Sequence, residues 1–389
     1  MTKEEAQELV ADYRRAALLH QQKEAKEEGD IQPLKPLTVK ERKANEALYR
    51  KVGSEWMAKK ALGLVLLAGG MGTRLGYDGP KGTLNIGETK ELYIFECLFH
   101  NLREQLNIAS ACEGSSDVTP TDVPVCIMTS DKNDERTRDF FKEHDYFGYG
   151  QENIYFFTQE MAPACDYEGN LLMEDENTPA TSPNGNGGWY SSMQKAGLVD
   201  ILKGRGVSWL NVFGVDNVLA KIADPLFFGA VISSGKTSGS KTVAKKSPQE
   251  KVGVMCKKNG HPAIVEYYEL SEEQAGARAE DGSLCFGMGV ILNYLFRLTD
   301  LDRIAGEHMP VHLAEKKIPY MDGDGIFHKP EEPNGYKFEI LITDLLAYLT
   351  DCLPYEVVRE EEFAPIKNKE GVDSVESARE LLRKNGVKL

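Results

Sequence analysis

The sequence predicts an α/β fold, a mixed, mostly parallel sheet flanked by helices, with an N-terminal helical extension and a small C-terminal subdomain. Two observations predict it. From Leu64 onward, short apolar runs alternate with longer polar stretches of helical character, as expected of parallel strands buried on both faces and joined by crossover helices. Polar or glycine-rich residues stand at or just past the ends of those runs, at Gly69–Gly72, Thr129-Ser130, Gln159 and Asp216. In such sheets ligands bind beyond the carboxyl ends of the strands.

Each element has its own signal. Residues 3–28 carry Leu9, Val10, Tyr13 and Leu18 on a helical stripe and run to a stop at Gly29-Asp30. After Pro33 and Pro36, Thr38 precedes Glu41 by three residues, a capping-box spacing that starts a helix reaching about Lys51. The strands LVLLA, VPVCIMTS and NIYFFTQ alternate with the helices ELYIFECLFHNLREQL and DERTRDFFKEH, and Tyr93, Phe95 and Phe99 form a core face. Further strands are expected at 209–216, 251–257 and 263–270. Asp322-Gly323-Asp324-Gly325 reads as a tight hairpin. A short strand, a helix over 338–349 and the charged end ESARELLRKNG complete the chain. The division this implies is a helical extension at 1–58, a catalytic domain at 59–325 and a C-terminal subdomain at 326–389.

Composition limits the partners. The 389 residues carry a formal charge of −15, which argues against nucleic acid, because phosphate-binding surfaces are normally basic. Seven cysteines, odd in number and without C-x-x-C, fit neither a disulfide framework nor a zinc site. The opening MTKEEAQELV is acidic where a signal peptide is basic. The longest apolar runs fall short of the roughly 20 residues a membrane span needs. A cytoplasmic chain with reduced thiols and no membrane partner is expected, as a monomer or weak homo-oligomer. Lys241, Lys245 and Lys246 read as a solvated edge or a phosphate contact.

The stretch LVLLAGGMGTRLGYDGPKGT, residues 64–83, concentrates the chemistry. The dinucleotide fingerprint G-x-G-x-x-G fits Gly70 and Gly72 but then meets Leu75, with the third glycine one place late at Gly76. A P-loop needs Gly-Lys-Ser/Thr in that order, whereas Lys81 follows Pro80 and precedes Gly82. There remains a loop in which Gly69, Gly70 and Gly72 bring backbone N–H groups to an anion, while Thr73, Arg74 and Lys81 supply donors and charge. That is a nucleoside triphosphate cradle.

The pattern L-x-x-G-x-G-T-R-x-G-x-x-x-P-K, Leu67 to Lys81, resembles the signature of sugar-nucleotide pyrophosphorylases. The resemblance extends through IMTSDKNDERTRDFFKEHDYFG, QEMAPA, SPNGNGGWY, VDNVLAKIADP, VGVMC, IVEYYE, EKKIPY and KPEEPNGYKFE, over about residues 60–368. It narrows to the UTP-dependent group, the UDP-N-acetylglucosamine and UDP-glucose pyrophosphorylases. It implies a Rossmann-like, GT-A-like nucleotidyltransferase fold and the formation of a UDP-sugar and pyrophosphate from UTP and a sugar 1-phosphate. N-acetylglucosamine 1-phosphate is the leading sugar, with glucose or galactose 1-phosphate as alternatives. A catalytically silent nucleotide-sugar sensor is the alternative of another class.

Carried onto matching positions, the resemblance implies that Leu67, Ala68, Gly69 and Gly70 line the uridine and triphosphate. Gln159 and Gly185 would read the uracil edge, and Arg74, Lys81 and Lys337 would hold phosphates. Asn186, Gly253 and Glu266 would face the sugar, and Asp216 would hold Mg²⁺. One departure concerns the sugar. Where relatives acting on N-acetylglucosamine carry Asn, this chain has Gly287 and Val290, so an amide contact is replaced by an apolar one.

Overall fold

The apolar run before the glycine loop forms a strand, Leu62–Leu67, with every residue buried. The computed structural model describes residues 1–26, 30–112, 114, 119, 121–307 and 309–389. Among them a ten-stranded sheet comprises β1 Ile31–Pro33, β2 Leu62–Leu67, β3 Val125–Thr129, β4 Ile154–Thr158, β5 Trp209–Gly214, β6 Ser238–Ala244, β7 Val254–Lys258, β8 His261–Val265, β9 Met288–Arg297 and β10 Leu353–Glu356. Its main path runs β1-β7-β9-β5-β2-β3-β4, with β8 on β7, β6 on β9 and β10 on β6. The strands β5, β2, β3 and β4 are mutually parallel, as the alternating pattern predicts.

Beyond β5 the pairing turns antiparallel, except between β6 and β10. The expected strands at 251–257 and 263–270 fold as the hairpin β7–β8 rather than as members of a parallel set. The cause is local. Asn259 and Gly260, with φ of 54° and 84°, supply the two left-handed residues of a tight hairpin turn.

Contacts group the chain into two units, each discontinuous in sequence. The first comprises Met1–Asp30, Gln159–Ser192 and Gly306–Leu345, and the second Ile31–Thr158, Met193–Ala305 and Leu346–Leu389. The sheet belongs to the second unit.

In the first unit the N-terminal helix Lys3–Lys26 forms as expected; its predicted end at 27–29 lies outside the described residues. The buried stripe is Ala6, Val10 and Ala17, whereas Leu18 is 51% exposed, so the inward face is set one residue earlier than the large side chains suggest. Phe338, expected in a helix, lies fully buried in the strand Gly335–Glu339. That strand pairs with His312–Lys316 and Cys165–Asp166, and only Ile342–Leu345 behind it is α-helical. The hairpin at Asp322–Gly325 is present, closed by the Asp322 N–H donating to the Ile326 carbonyl at 3.0 Å.

In the second unit the Thr38/Glu41 capping box is formed. Its helix stops at Ala44, and a new one runs Glu46–Ala58 after Asn45. Phe95 and Phe99 on the helix Ile94–Ser110 are buried, as expected of a core face. Lys241 is neither a solvated edge nor a phosphate contact. It is fully buried on β6, its Nζ 2.8 Å from Asp224 Oδ2 and 2.6 Å from Glu362 Oε2. All seven cysteines are unpaired, and burial pushes the thiols of Cys97, Cys126, Cys256 and Cys352 up to about 12. No helix among the described residues is long and apolar enough to cross a membrane.

Candidate functional site

At the carboxyl end of β2 the chain leaves the sheet at Ala68, whose N–H still donates to Met128. The next three carbonyls are captured from one side. Asn133 Nδ2 donates to the Ala68 carbonyl at 3.0 Å and to that of Gly70 at 3.3 Å, and Ser130 Oγ donates to that of Gly69 at 2.9 Å. Both captors are buried in the turn that follows β3, where Asn133 Oδ1 accepts the Ser130 N–H at 2.8 Å.

In a trans peptide the C=O and the following N–H point to opposite sides. Pulling in the carbonyls of Ala68, Gly69 and Gly70 therefore turns the N–H groups of Gly69, Gly70 and Met71 outward. Those of Gly69 and Gly70 have no protein acceptor among the described residues. The sequence marks the glycines and places Ser130 at a strand end, but it does not single out Asn133, which the turn TSDKN hides among other polar residues.

The glycines of the loop serve different ends. A Cβ built on Gly70 meets nothing within 4 Å, so the fold itself does not require glycine there. Gly72 departs from its expected role. Its N–H is bonded to the Gly79 carbonyl at 2.9 Å, and a Cβ would come within 2.7 Å of Tyr77 Cδ1. That glycine closes the loop on itself instead of serving an anion. Leu67 and Ala68 have buried side chains and can offer a ligand only their backbone.

Thr73 and Arg74 begin an exposed 3₁₀ turn. Arg74 makes no hydrogen bond or ion pair among the described residues. Lys81 Nζ lies 2.5 Å from Asp216 Oδ1, with its side chain only 12% exposed. The pairing follows from topology, since β2 and β5 are parallel neighbours and the Val215 N–H donates to the Leu67 carbonyl. Lys81 and Asp216, 135 residues apart in sequence, thus meet beside the outward N–H groups.

A second cluster lies across β7, β8 and β9, where Gly253, Glu266 and Val290 come together. The Val290 N–H donates to the Gly253 carbonyl at 3.0 Å. A Cβ at Gly253 would sit 2.9 Å from Ile264 Cγ2 and 3.2 Å from Glu266 Oε1. Glycine is required there by the approach of Ile264 and Glu266. Gly287 is also fixed by the chain, since a Cβ would come within 2.8 Å of the Leu284 carbonyl. Between Val290 and Tyr294 the ladder with β6 slips, and Leu292 takes a left-handed φ of 51°. Strain of that kind in a branched residue persists only where its surroundings fix it.

The remaining expected residues belong to the first unit. Gln159 is 7% exposed. Gly185 has a φ of 90°, and a Cβ would lie 2.3 Å from the Ile340 carbonyl. Asn186 Oδ1 accepts the Ile342 N–H at 3.0 Å, so that oxygen is committed to the backbone. Lys337 sits at the centre of the strand that leads to Ile340, opposite Ala314. Gly185, Asn186 and Lys337 are therefore organised around one stretch, Lys337–Ile342.

Residues 10–387 match the model of the family described as "UTP--glucose-1-phosphate uridylyltransferase". The chain belongs to that family. Within it, the chain is 36% identical over 397 residues to a Saccharomyces cerevisiae protein named UDP-N-acetylglucosamine pyrophosphorylase, covering 97% of this chain and 81% of the relative. It is 37% identical to the Xenopus tropicalis UDP-N-acetylhexosamine pyrophosphorylase-like protein 1, over 84% of this chain and 63% of that protein. The chain spans less than two thirds of the length of the vertebrate relatives it matches. Among solved structures, the putative UDP-N-acetylglucosamine pyrophosphorylase of Entamoeba histolytica superposes with a TM-score of 0.82 at 29% identity, over 91% of this chain and 88% of that one.

Proposed function

We propose that this uridylyltransferase-family chain makes a UDP-sugar and pyrophosphate from UTP and a sugar 1-phosphate, with N-acetylglucosamine 1-phosphate as the preferred sugar. The observation that carries the reading is the row of outward N–H groups at Gly69–Met71, turned by Ser130 and Asn133 and flanked by Lys81. An anionic tail is what such a row accepts. The names of the yeast and Entamoeba relatives support the sugar. With this reading go the GT-A-like description of the sheet, the helical extension at 1–58 and the C-terminal subdomain at 326–389.

In the proposed reaction a phosphate oxygen of the sugar 1-phosphate attacks the α-phosphorus of UTP in line. The bond to the bridging oxygen breaks, and pyrophosphate leaves with the electron pair. No covalent enzyme intermediate or proton abstraction is needed, so positioning and charge compensation supply the catalysis. The loop N–H groups hold phosphate oxygens, Arg74 and Lys337 take the charge of the leaving pyrophosphate, and Lys81 serves the α-phosphate. Gln159 and the Gly185 backbone present the donor and acceptor pattern that uracil complements. Glu266 accepts hydrogen bonds from sugar hydroxyls beside Gly253 and Val290.

For Mg²⁺, the donor set fits a phosphate-bridged ion rather than a protein cage. No group of three or more His, Cys, Asp or Glu able to hold a metal exists among the described residues. Asp216, 38% exposed in its side chain, is the carboxylate that would hold the ion with phosphate oxygens and water, the usual mode for Mg²⁺. Bound there, it supplies compensation for the negative charge gathered by the two substrates.

The test is pyrophosphate release from UTP and N-acetylglucosamine 1-phosphate by the full chain and by Lys81→Ala. The wild type turns over, and the variant loses about 10²–10³ in kcat, the size of effect seen when one preorganised donor is removed. Its unfolding midpoint stays close to the wild-type value, because the lost ion pair is partly solvated on the Asp216 side. A wild-type chain that binds UTP without releasing pyrophosphate would leave only the sensor.

A further inference from the structure

A cavity of about 300 Å³ lies in the second unit, away from the glycine loop, with Arg42, Lys43, Arg50, Lys221, Tyr355 and Glu362 among its walls. Nothing in the proposed reaction uses it. Its volume is at the lower end of pockets that hold small molecules.

Four cations, Arg42, Lys43, Arg50 and Lys221, face this space together with the carboxylates Glu46, Asp224, Glu361 and Glu362. Arg42 is the one held firmly, by Tyr355 and Glu362. Arg50 pairs with Glu46, and Lys221 lies 3.7 Å from Glu361, whose side chain is 53% exposed. Pairs of that kind exchange readily for a better anion. Lys43 is exposed and has no ion pair among the described residues.

The buried wall has a different need. Glu362 is 1% exposed, and its Oε2 accepts from Lys241 at 2.6 Å. Its Oε1 has no hydrogen bond, although Arg42 and Lys221 lie 3.8 and 3.6 Å away. A buried carboxylate oxygen without a donor is costly, and a hydroxyl or N–H reaching it would relieve that cost. Tyr355, bonded through its Oη to Arg42 at 3.3 Å, lies beside it.

Cations at the rim and an unsatisfied acceptor at the wall call for one molecule carrying both an anion and hydroxyl donors. A phosphate dianion suits the rim better than a carboxylate, since guanidinium and ammonium groups can share its three oxygens. We infer that this cavity is a binding site for a small hydroxylated phosphomonoester of hexose-phosphate size, its phosphate on Lys43, Arg50 and Lys221 and its hydroxyls toward Glu362.

The test is calorimetric titration of the full chain with glucose 6-phosphate, inorganic phosphate and glucose. Glucose 6-phosphate carries no phosphate at C1 and so cannot serve in the proposed transfer reaction. It is expected to bind at least about tenfold more tightly than either fragment, and about tenfold more weakly to the double variant Lys43→Ala/Arg50→Ala, a loss of about 1.4 kcal/mol. Its affinity for Lys81→Ala, whose change lies in the glycine loop, should match wild type. Both alanine positions are on the rim, and an unchanged unfolding midpoint verifies that the fold survives. Absence of heat at about 10 mM ligand overturns the assignment. So do equal affinity for inorganic phosphate, indifference to the rim variant, or loss of binding in Lys81→Ala.

Discussion

Gly70 and Gly72 lie two residues apart in one loop, yet a methyl group placed on each meets different surroundings. At Gly70 it meets open space; at Gly72 it meets Tyr77 at 2.7 Å. The two alanine variants should therefore separate ligand binding from folding. Gly70→Ala is expected to keep its stability within about 0.5 kcal/mol while kcat/KM for UTP falls about 10–100-fold, the equivalent of one charged hydrogen bond. Gly72→Ala should lose about 1–3 kcal/mol as Tyr77 is displaced. Denaturant unfolding and steady-state kinetics on the same preparations decide it; equal loss of stability in both would mean that the loop is held differently. The letters G-G-M-G made the loop legible because glycine records a missing side chain. They could not say which absence serves a ligand and which serves Tyr77.

At the scale of elements, β2, β3 and β4 were readable because their letters are apolar, with every residue of β2 and β3 buried and β4 half-buried. The strand β6 was not. Its Lys241, with Lys245 and Lys246 beyond it, reads as a solvated edge or a phosphate contact, but the first six residues of the strand are buried, and Ser238 and Lys241 are satisfied by partners distant in sequence. Ser238 Oγ donates to the Asp351 carbonyl at 2.6 Å, and Lys241 reaches both Asp224 and Glu362. Burial drives the Lys241 pKa down, but the two carboxylates outweigh it and leave it raised. Burial likewise pushes Asp224 up, and Lys241 more than reverses this, leaving it lowered.

The ion cluster yields a pH prediction whose sign is fixed. With its pKa lowered, Asp224 contributes stability above its unfolded value and loses it as pH falls through the folded value. Lys241→Met removes the cation and leaves two buried carboxylates, which should cost about 3–5 kcal/mol near neutrality. In that variant the Asp224 carboxylate keeps the burial that raises its pKa and loses the cation that lowered it, so it binds its proton more readily folded than unfolded and acidification helps the variant. The stability gap to wild type should narrow between about pH 7 and about pH 5. Urea midpoints at the two pH values measure this, and a constant or widening gap would show that Lys241 does not govern the pair.

For the whole molecule, the alternation of strand and helix revealed one sheet but not two units. The first unit is assembled from three separate stretches; the passage at Asp30 coincides with the predicted helix stop at Gly29-Asp30, but no composition shift or linker marks the later ones. The residues expected to contact the sugar were named without reference to the unit that carries each. Of these, Gly253, Glu266 and Val290 do meet, and Val290 stands where the resemblance leads to the expectation of Asn. A site built to hydrogen-bond a substrate amide discriminates strongly against an analogue lacking it, whereas apolar contact discriminates weakly. With Val290 in place, N-acetylglucosamine 1-phosphate should still exceed glucose 1-phosphate in kcat/KM, but by a modest margin. Val290→Asn should widen that margin about tenfold, or about 1.4 kcal/mol, mainly by raising turnover with the acetylated sugar. The side chain at 290 is half-buried rather than enclosed, so the exchange should fold without a new buried polar cost. A panel of sugar 1-phosphates with both proteins measures the two margins, and a variant whose ratio does not move would place sugar discrimination outside the Gly253–Glu266–Val290 cluster.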